Sequence, residues 1–471
     1  MTAQQKILLS VLCFLCLACF YFLPRDACLT PTTMVGADAS VFATIGWSWS
    51  NGLVPYKDIF DHKGPVIYLL NSLGFLIGGD FYGVVYIEIL NMFLFAALFL
   101  FINRENSLLY AAFFIFTYIL FISRNLEHGN FTEEYALLFN GLAAYAWLKK
   151  TRYRFYLYGV CGALLFFLRV NLAAVTLSIF LVDLCTSRKL LQNTLKTTLG
   201  FLIPFGVIVS YFYQQDALRD FYDSYILFNF RYTSGGGLKA IFSAYYYFIG
   251  ANKVFFLLCA FFLTGIYARQ RKYFVSSLIF LLFPFLFSCI SGRQYNHYAL
   301  MMTPSIFILF SVLLKDRHTD MAAVEFLSTH LSPMGWKLLK AGCLLIAVCC
   351  LASTAFSWNA VFNTQKLENW RAAFAKAGIR PDSKILNLGR HLGSSIYYLT
   401  HTLPPEKDFF PATAISTEAS RQLLKQPSAI CPGPGYDFLV LGPGQQLSPG
   451  CPYEPLALKF AWRHQLYRRA Q

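Results

Sequence analysis

The chain has 471 residues, of which 56% are hydrophobic, 18% are aromatic and only 13% are charged. This composition excludes an ordinary soluble protein, and many apolar runs approach or exceed the roughly 18 residues that cross a bilayer. The formal net charge of +15 does not indicate nucleic-acid binding, because the basic residues lie mostly in short loops between apolar runs. We therefore predict an α-helical, polytopic membrane protein that binds no nucleic acid.

The first apolar run, at about 7–24, follows Lys6. It is long for a signal peptide and no small-residue cleavage site follows it, so we interpret it as the first span, with a cytoplasmic N-terminus. The first outer loop then covers residues 25–80. Within it, residues 65–79 are too few to span and are interrupted by Asn71, which predicts an amphipathic helix along the membrane interface.

Ten further spans follow if the basic loops stay in the cytoplasm. The first three are predicted at about 81–102, 108–122 and 134–148, and the next two are short helices that meet at Arg169 and Asn171. One more is predicted at 197–213. Three helices bounded by ARQRK (268–272), SGRQYNHY (291–298) and KDRH (315–318) follow, and the last span is predicted at 338–356. A long outer loop is predicted from Gln214 to about Gly250. The sum is eleven spans, with an extracytoplasmic C-terminus.

Residues 358–471 differ in texture from the membrane domain at 1–357, since they are rich in proline and turn signals. The apolar runs KILNLG (384–389) and DFLVLG (437–442) each predict a buried strand that ends at a glycine. A small α/β domain on the outer face is therefore expected. Its two cysteines, Cys431 and Cys451, form a disulfide in an oxidising compartment or stay as free thiols.

Four polar clusters interrupt the apolar pattern, and the predicted topology puts all of them on the outer side. They are Asp38 with DHK (61–63), EHGNFTEE (127–134), Arg169 with Asn171, and GRQYNHY (292–298). Carboxylates act as general bases, while arginine and lysine bind phosphate. The clusters therefore predict one outward-facing cavity with acids on one wall and cations on another.

In these motifs the chain resembles the GT-C glycosyltransferases, which include protein O-mannosyltransferases and lipid A aminoarabinose transferases. The resemblance covers about residues 1–357. It rests on Asp38 after the first span, a G-x-x-P-Y-x-D stretch (Gly52, Pro55, Tyr56, Asp58), the D-H-K-G-P motif at 61–65, the acidic pair Glu133 and Glu134, and a G-R-x-x-x-H-Y motif (Gly292, Arg293, His297, Tyr298). Related enzymes often have E-K-P-P or K-P-P where this chain has Gly64 in place of the first proline.

The resemblance implies a GT-C-like fold and an inverting transfer from a polyprenyl-phosphate-linked sugar, in the cytoplasmic (inner) membrane, to a hydroxyl on its outer face. It implies that Asp38 accepts the proton of this hydroxyl. The donor phosphate is assigned to Lys63, Arg293, His297 and Arg169, and supporting or acceptor-side roles to Asp58, Asp61, His62, Glu133, Glu134 and Tyr56. The acceptor is a glycan, a lipid or a protein, and membrane lipids surround the protein. No cofactor is assigned, and a divalent metal is left open.

Structural interpretations stand beside these roles. Asp38 caps a helix that begins near Ala39, Lys63 reaches lipid headgroups, Glu133 and Glu134 favour the positive end of a helix, and Arg169 with Asn171 ends two half-helices. For function, the alternatives are a protein O-mannosyltransferase, a transporter or flippase for lipid-linked sugars, and a non-catalytic assembly subunit. The polar residues crowd one face, which disfavours the transporter.

Overall fold

The computed structural model describes residues 37–104, 115, 129–233, 237–315, 371–389, 393–409, 430–432, 435–442, 444–460 and 464–470. Three predicted spans, at 7–24, 108–122 and 338–356, lie outside these residues apart from Ile115. The proposed domain boundary near residue 358 also lies outside them, so this boundary stays a prediction.

Helices make up most of the described chain. In chain order they are α1 (Ala37–Ser50), α2 (Pro65–Gly78), α3 (Phe81–Asn103), α4 (Thr132–Leu148), α5 (Arg154–Phe166), α6 (Ala174–Cys185), α7 (Leu190–Gln214), α8 (Leu218–Phe221), α9 (Phe228–Thr233), α10 (Gly237–Ala251), α11 (Lys253–Arg269), α12 (Phe274–Ser288), α13 (Thr303–Leu313) and α14 (Ser395–Thr400). A π-helical turn, Tyr222–Leu227, joins α8 to α9, and 3-10 turns at Val170–Ala173, Arg271–Tyr273 and Asn296–Met302 precede α6, α12 and α13.

Within the described residues, four helical runs are long and apolar enough to cross a membrane. They are Phe81–Asn103, Leu190–Gln214, Arg271–Ser288 and Asn296–Leu313, and the pair Gly237–Ala251 and Phe255–Arg269, bent by 80°, is a fifth if it counts as one span. These helices confirm the prediction of a helical membrane protein. The total of eleven spans stays a prediction.

Helices α1 and α2 lie in the segment predicted as the first outer loop and are too short to span. Each has 14 residues, or about 21 Å of helix, against a hydrocarbon core of about 30 Å. Helix α2 begins at Pro65 and ends before Gly79, whose φ of 65° suits the turn into α3. Its Leu76 and Ile77 are 65% and 76% exposed, while Asn71 on its other face is buried. Both features agree with a helix that lies along the interface.

The predicted two half-helices around Arg169 are present. Helix α5 ends at Phe166, and Arg169 has extended backbone, with φ −169° and ψ 127°, before the chain turns into α6. Asn171 follows this break and donates to the carbonyl of Phe287, on α12, at 3.4 Å. The break directs Arg169 away from both helices and toward the protein interior.

The prediction of a long loop from Gln214 to about Gly250 is wrong, because α8, the π-helical turn, α9 and α10 occupy this segment. Aromatic rings explain the difference. Phe221 stacks on Phe212 with ring centroids 4.6 Å apart, and Tyr225 donates a hydrogen bond to the carbonyl of Phe166. The segment therefore packs against the helical body instead of remaining in solvent.

The C-terminal region (the described residues from 371 to 470) contains a four-stranded sheet. Its strands are β1 (Ile385–Asn387), β2 (Phe438–Leu441), β3 (Tyr453–Phe460) and β4 (His464–Arg469), in the order β1-β2-β4-β3. Strands β1 and β2 pair in parallel, and the other pairs are antiparallel. The two predicted strands are β1 and β2, whereas β3 and β4 were not predicted. Cys431 and Cys451 form a disulfide, with Cα atoms 5.6 Å apart.

The C-terminal region packs directly on the helices. Its carbonyl groups accept hydrogen bonds from Thr44 Oγ1 (to Ser394, 2.9 Å), Trp47 Nε1 (to Thr402, 3.0 Å) and Phe60 N (to Lys407, 2.9 Å). Two ion pairs, Arg371 with Asp80 at 2.5 Å and Lys407 with Asp220 at 2.6 Å, join the same surfaces. The C-terminal region thus braces α1 and the loop that follows it.

Candidate active site

The loop between α1 and α2 is shaped by two of the predicted site residues. Tyr56 has a φ of 70°, its ring is fully buried, and its hydroxyl donates to the carbonyl of Lys63 at 2.6 Å. Asp58 is exposed, and its carboxylate accepts from the backbone N–H of Val54 at 2.7 Å, which closes a tight turn. Both side chains serve the shape of the loop.

The next three residues of the loop form a connected chain of side chains. The Asp61 carboxylate accepts from the Tyr68 hydroxyl at 2.6 Å and lies 3.0 Å from Nδ1 of His62. Nε2 of His62 lies 3.1 Å from Nζ of Lys63. Asp61 and His62 are buried, whereas Lys63 is half-buried. The ammonium is therefore the accessible end of this chain.

Charge and burial set the protonation of this chain. Burial lowers the pKa of His62 from its ordinary value, the neighbouring Lys63 ammonium lowers it further, and the charge of Asp61 opposes the shift. Burial alone would raise the pKa of Asp61, but the interaction with His62, the Lys63 ammonium and the hydrogen bond from Tyr68 hold it well below its usual range. At neutral pH the chain thus holds a carboxylate, a neutral imidazole and an ammonium.

Gly64 attaches this loop to the break before Arg169. Its N–H donates to the carbonyl of Leu168 at 3.2 Å, and a Cβ at this position would lie 1.9 Å from the carbonyl oxygen of Phe167. A proline would lose the N–H and collide with the same carbonyl. The close approach therefore explains the glycine that stands where related motifs have proline.

Arg169 is held by direct contacts. Its Nη1 donates to the buried Glu133 carboxylate at 2.6 Å, and its Nη2 donates to the Tyr298 hydroxyl at 2.7 Å. The guanidinium also lies over the Tyr298 ring, 4.7 Å from the centroid. The side chain of Arg169 remains 21% exposed, so these contacts do not enclose it completely.

The loop at 292–298 is divided between the site and the surface. His297 is buried, stacks on Phe131 with centroids 4.2 Å apart, and lies within electrostatic range of Glu133. Arg293 is exposed, and the adjacent Gln294 donates to Ser243, on α10, at 2.8 Å. The structure therefore brings His297 to the Arg169 cluster but leaves Arg293 at the surface.

Glu134 has a structural contact at the start of α4. Its Oε1 accepts from the backbone N–H of Phe131 at 3.3 Å, which caps the first turn of the helix. Its own carbonyl accepts from Asn91 at 2.7 Å. The two acids of the predicted pair thus differ, since Glu133 contacts Arg169 and Glu134 caps a helix.

Asp38 lies within electrostatic range of one member of each of these two groups of side chains. It is half-buried in the first turn of α1, which is described from Ala37, and it lies within electrostatic range of both His62 and Arg169. Among the described residues, its carboxylate makes no hydrogen bond or ion pair.

Sequence reasoning missed the two tyrosines that organise these clusters. Tyr68 lies on α2 and donates to Asp61, and Tyr298 accepts from Arg169. Tyr298 belongs to the G-R-x-x-x-H-Y motif, which carried a signal for its position but not for its partner. Tyr68 shows no signal beyond its place on the polar face of a helix that begins just after the motif.

The described side chains of this site do not fit a metal ion. In the described ranges no three or more His, Cys, Asp or Glu side chains are grouped so that they hold one. Asp61 and His62 are adjacent, but Tyr68 and Lys63 already occupy their hydrogen-bonding atoms. No step of a reaction is therefore assigned to a metal here.

The chain shares its fold with a solved membrane transferase structure, ArnT, and this likeness agrees with the GT-C-like fold that the resemblance implies. It matches ArnT from Cupriavidus metallidurans bound to undecaprenyl phosphate, with a TM-score of 0.61, 14% identity and coverage of 99% of this chain and 98% of that one. The apo state of the same ArnT gives a TM-score of 0.57, 13% identity and coverage of 97% of each chain. No family model and no curated protein matches the sequence.

Proposed function

We propose that the protein is a membrane glycosyltransferase that moves a sugar from a polyprenyl-phosphate donor to an acceptor hydroxyl. The observation that carries this proposal is that the Asp38 carboxylate lies within electrostatic range of both Arg169 and His62, the ring that contacts Lys63. The likeness to ArnT supports it, because ArnT with undecaprenyl phosphate bound has the same fold. The site thus offers a base and cations within one fold suited to a lipid-linked donor.

In the proposed reaction the acceptor hydroxyl attacks the anomeric carbon of the donor sugar. The new C–O bond forms as the bond between that carbon and the phosphate oxygen breaks, the proton of the hydroxyl goes to Asp38, and the bonding electron pair goes to the phosphate. Negative charge builds on this oxygen, so a cation already in place lowers the barrier. A phosphate is a good leaving group and needs no proton from the protein.

The geometry favours Lys63 as the main phosphate ligand. Its ammonium has three N–H donors, and His62 takes one of them. Arg169 is already engaged by Glu133 and Tyr298, so we assign it a second place. We assign His297 to the same cationic side of the site, and Arg293 to the exposed rim of that side.

We assign Asp61 and His62 a supporting role that acts through Lys63. Tyr56 and Asp58 support the site by stabilising the loop, and Glu134 supports it by stabilising a helix. The site is proposed to face the outside of the cytoplasmic membrane, with a glycan or lipid acceptor. A protein O-mannosyltransferase differs in its acceptor. A flippase would move the lipid-linked sugar between leaflets without transferring the sugar.

The test is a transfer assay on purified Asp38→Asn, with a panel of radiolabelled undecaprenyl-phosphate sugars and cell-envelope acceptors. Asparagine keeps the size of the side chain but removes its basicity. General-base catalysis contributes about 10² to 10⁴ in rate, so we expect transfer to fall at least about a hundredfold. Binding of undecaprenyl phosphate should persist.

Asp58→Asn is the matched control, because it changes a carboxylate of the same region while the amide oxygen keeps the turn with Val54. We expect a smaller loss of transfer from this variant. Near-normal turnover in Asp38→Asn would make Asp38 a structural residue only. If the wild-type protein moves the lipid-linked sugar between leaflets but transfers no sugar to an acceptor, the result would favour the flippase.

A further inference from the structure

Three consecutive side chains, Asp61, His62 and Lys63, are joined end to end by contacts of 3.0 and 3.1 Å. We call this chain the Asp61–His62–Lys63 relay. The side chains of adjacent residues rarely meet in regular structure, because they diverge in helices and strands. The loop therefore needs an irregular backbone to bring all three together.

Tyrosine and amide side chains hold that backbone. The N–H of Lys63 donates to the Tyr68 hydroxyl at 3.2 Å, and this hydroxyl in turn donates to Asp61. The carbonyl of His62 accepts from Asn229, on α9, at 2.7 Å. The His62 ring also lies against the Phe228 ring, with centroids 5.4 Å apart. Several elements thus fix the imidazole between its two neighbours.

The direction of each hydrogen bond in the relay follows from its end members. A lysine ammonium only donates, so Nε2 of His62 must be the acceptor. The proton of the neutral ring is then on Nδ1 and is donated to the Asp61 carboxylate. Asp38 is the further charged group that acts on His62 from outside the relay, on α1, and it favours the protonated ring. Burial and Lys63 oppose it, which keeps the ring neutral.

The relay carries no net charge, and its positive end is the only half-buried member. A free lysine side chain loses about 1.5 to 2 kcal/mol of rotamer freedom when it is fixed. In this protein the Lys63 side chain has already lost this freedom in the folded state, because His62 holds the ammonium before a donor binds. A phosphate then binds to a cation that is already in position.

We propose that His62 is the positioning residue for Lys63: its imidazole connects the buried Asp61 carboxylate to the ammonium and holds this cation ready for the donor phosphate. The inference rests on the proposed function, since it names how one cation of that site is prepared. His62 itself does not need to contact the donor. It acts through Lys63.

The experiment measures binding of undecaprenyl phosphate to purified full-length variants in detergent. His62→Leu fills much of the space but offers no acceptor, while His62→Gln keeps a side-chain oxygen for the ammonium. Since the rotamer loss corresponds to about a tenfold change in affinity, we expect Kd to rise about tenfold in His62→Leu. His62→Gln should stay within about threefold of the wild type.

A double-mutant cycle separates positioning from a structural effect. In the Lys63→Ala background, His62→Leu should add less than about twofold to Kd, because the residue that it positions is absent. Lys57→Ala is the matched control, since Lys57 is an exposed lysine of the same loop that donates to the carbonyl of Gln215. In that background the full effect of His62→Leu should remain.

Each outcome decides a different statement. If His62→Leu binds like the wild type, or its effect is the same with and without Lys63, the relay is structural and the inference is wrong. If Lys63→Ala itself binds undecaprenyl phosphate normally, the phosphate site of the proposed function is wrong. Thermal unfolding of every variant identifies one that fails to fold, and the comparison of His62→Gln with His62→Leu still tests the relay if one background is lost.

Discussion

Lys63 and Arg169 are two cations of the candidate site, and they are connected to their acids in different ways. Arg169 contacts Glu133 directly at 2.6 Å. Lys63 reaches its acid only through the neutral ring of His62. Asp38 lies within electrostatic range of Arg169 and of His62, the ring that contacts Lys63.

The difference concerns how much of each cation is available. A direct ion pair to a buried acid fixes the guanidinium of Arg169 but uses the donors that face the acid. The relay fixes the ammonium of Lys63 through one donor and leaves two. Because the His62 ring lies between Asp61 and Lys63, the carboxylate helps to order the ammonium without forming a direct ion pair with it. The same two charge types therefore make a structural tie at one place and an available ligand at the other.

Lys63→Ala tests the available cation and should have the largest effect on binding. A charge-assisted contact contributes about 1.5–3 kcal/mol, so we expect undecaprenyl phosphate to bind about ten- to a hundredfold more weakly. Arg293→Ala should have a smaller effect, because Arg293 is exposed at the rim. Isothermal titration in detergent gives both constants. Equal losses of affinity in the two variants would show that Lys63 and Arg293 contribute equally to phosphate binding.

Arg169→Lys tests the structural tie. Lysine keeps the charge but lacks the planar fork, so it does not contact Glu133 and Tyr298 together. We expect the free energy of unfolding to fall by about 1–2 kcal/mol, with a smaller change in donor binding than in Lys63→Ala. Thermal unfolding and the binding assay measure the two effects. A variant of unchanged stability that binds the donor as poorly as Lys63→Ala would reverse the roles of the two cations.

The smallest expected effect is a pH dependence of stability. The pKa of His62 in the folded protein is below its ordinary value of 6.5, so the unfolded chain binds the proton first as the pH falls. Stability from the neutral ring is complete above pH 6.5 and is lost below it, toward the lowered pKa. The contribution of Asp61 is lost only below its ordinary value of 3.8.

The unfolding midpoint of the wild type should therefore fall between pH 7 and 5 by more than that of His62→Gln, which has no titrating ring. Other histidines titrate in the same range, but they are common to both proteins and cancel in the difference. Parallel curves for the two proteins would show that His62 is not buried in its neutral form.

The sequence predicted local features well. The motif around His62, the break at Arg169 and two strands were found because composition and charge near each position determine them. The partners were not predictable, since Gly64 meets Phe167 and Tyr298 meets Arg169 across more than a hundred residues of chain. Likewise, segment 214–250 resembled a loop because its polar residues and glycines were visible but the surfaces that its aromatic rings pack on were not.

The hydrogen bond from Phe60 N–H to the Lys407 carbonyl has a consequence for biosynthesis. Phe60, which donates this bond, immediately precedes Asp61. Lys407, which accepts it, leaves the ribosome almost 350 positions later in a chain of 471 residues. The loop is therefore inserted long before its support exists. A nascent chain, or one cut before the C-terminal region, holds the motif without the brace, so full activity should appear only late in synthesis.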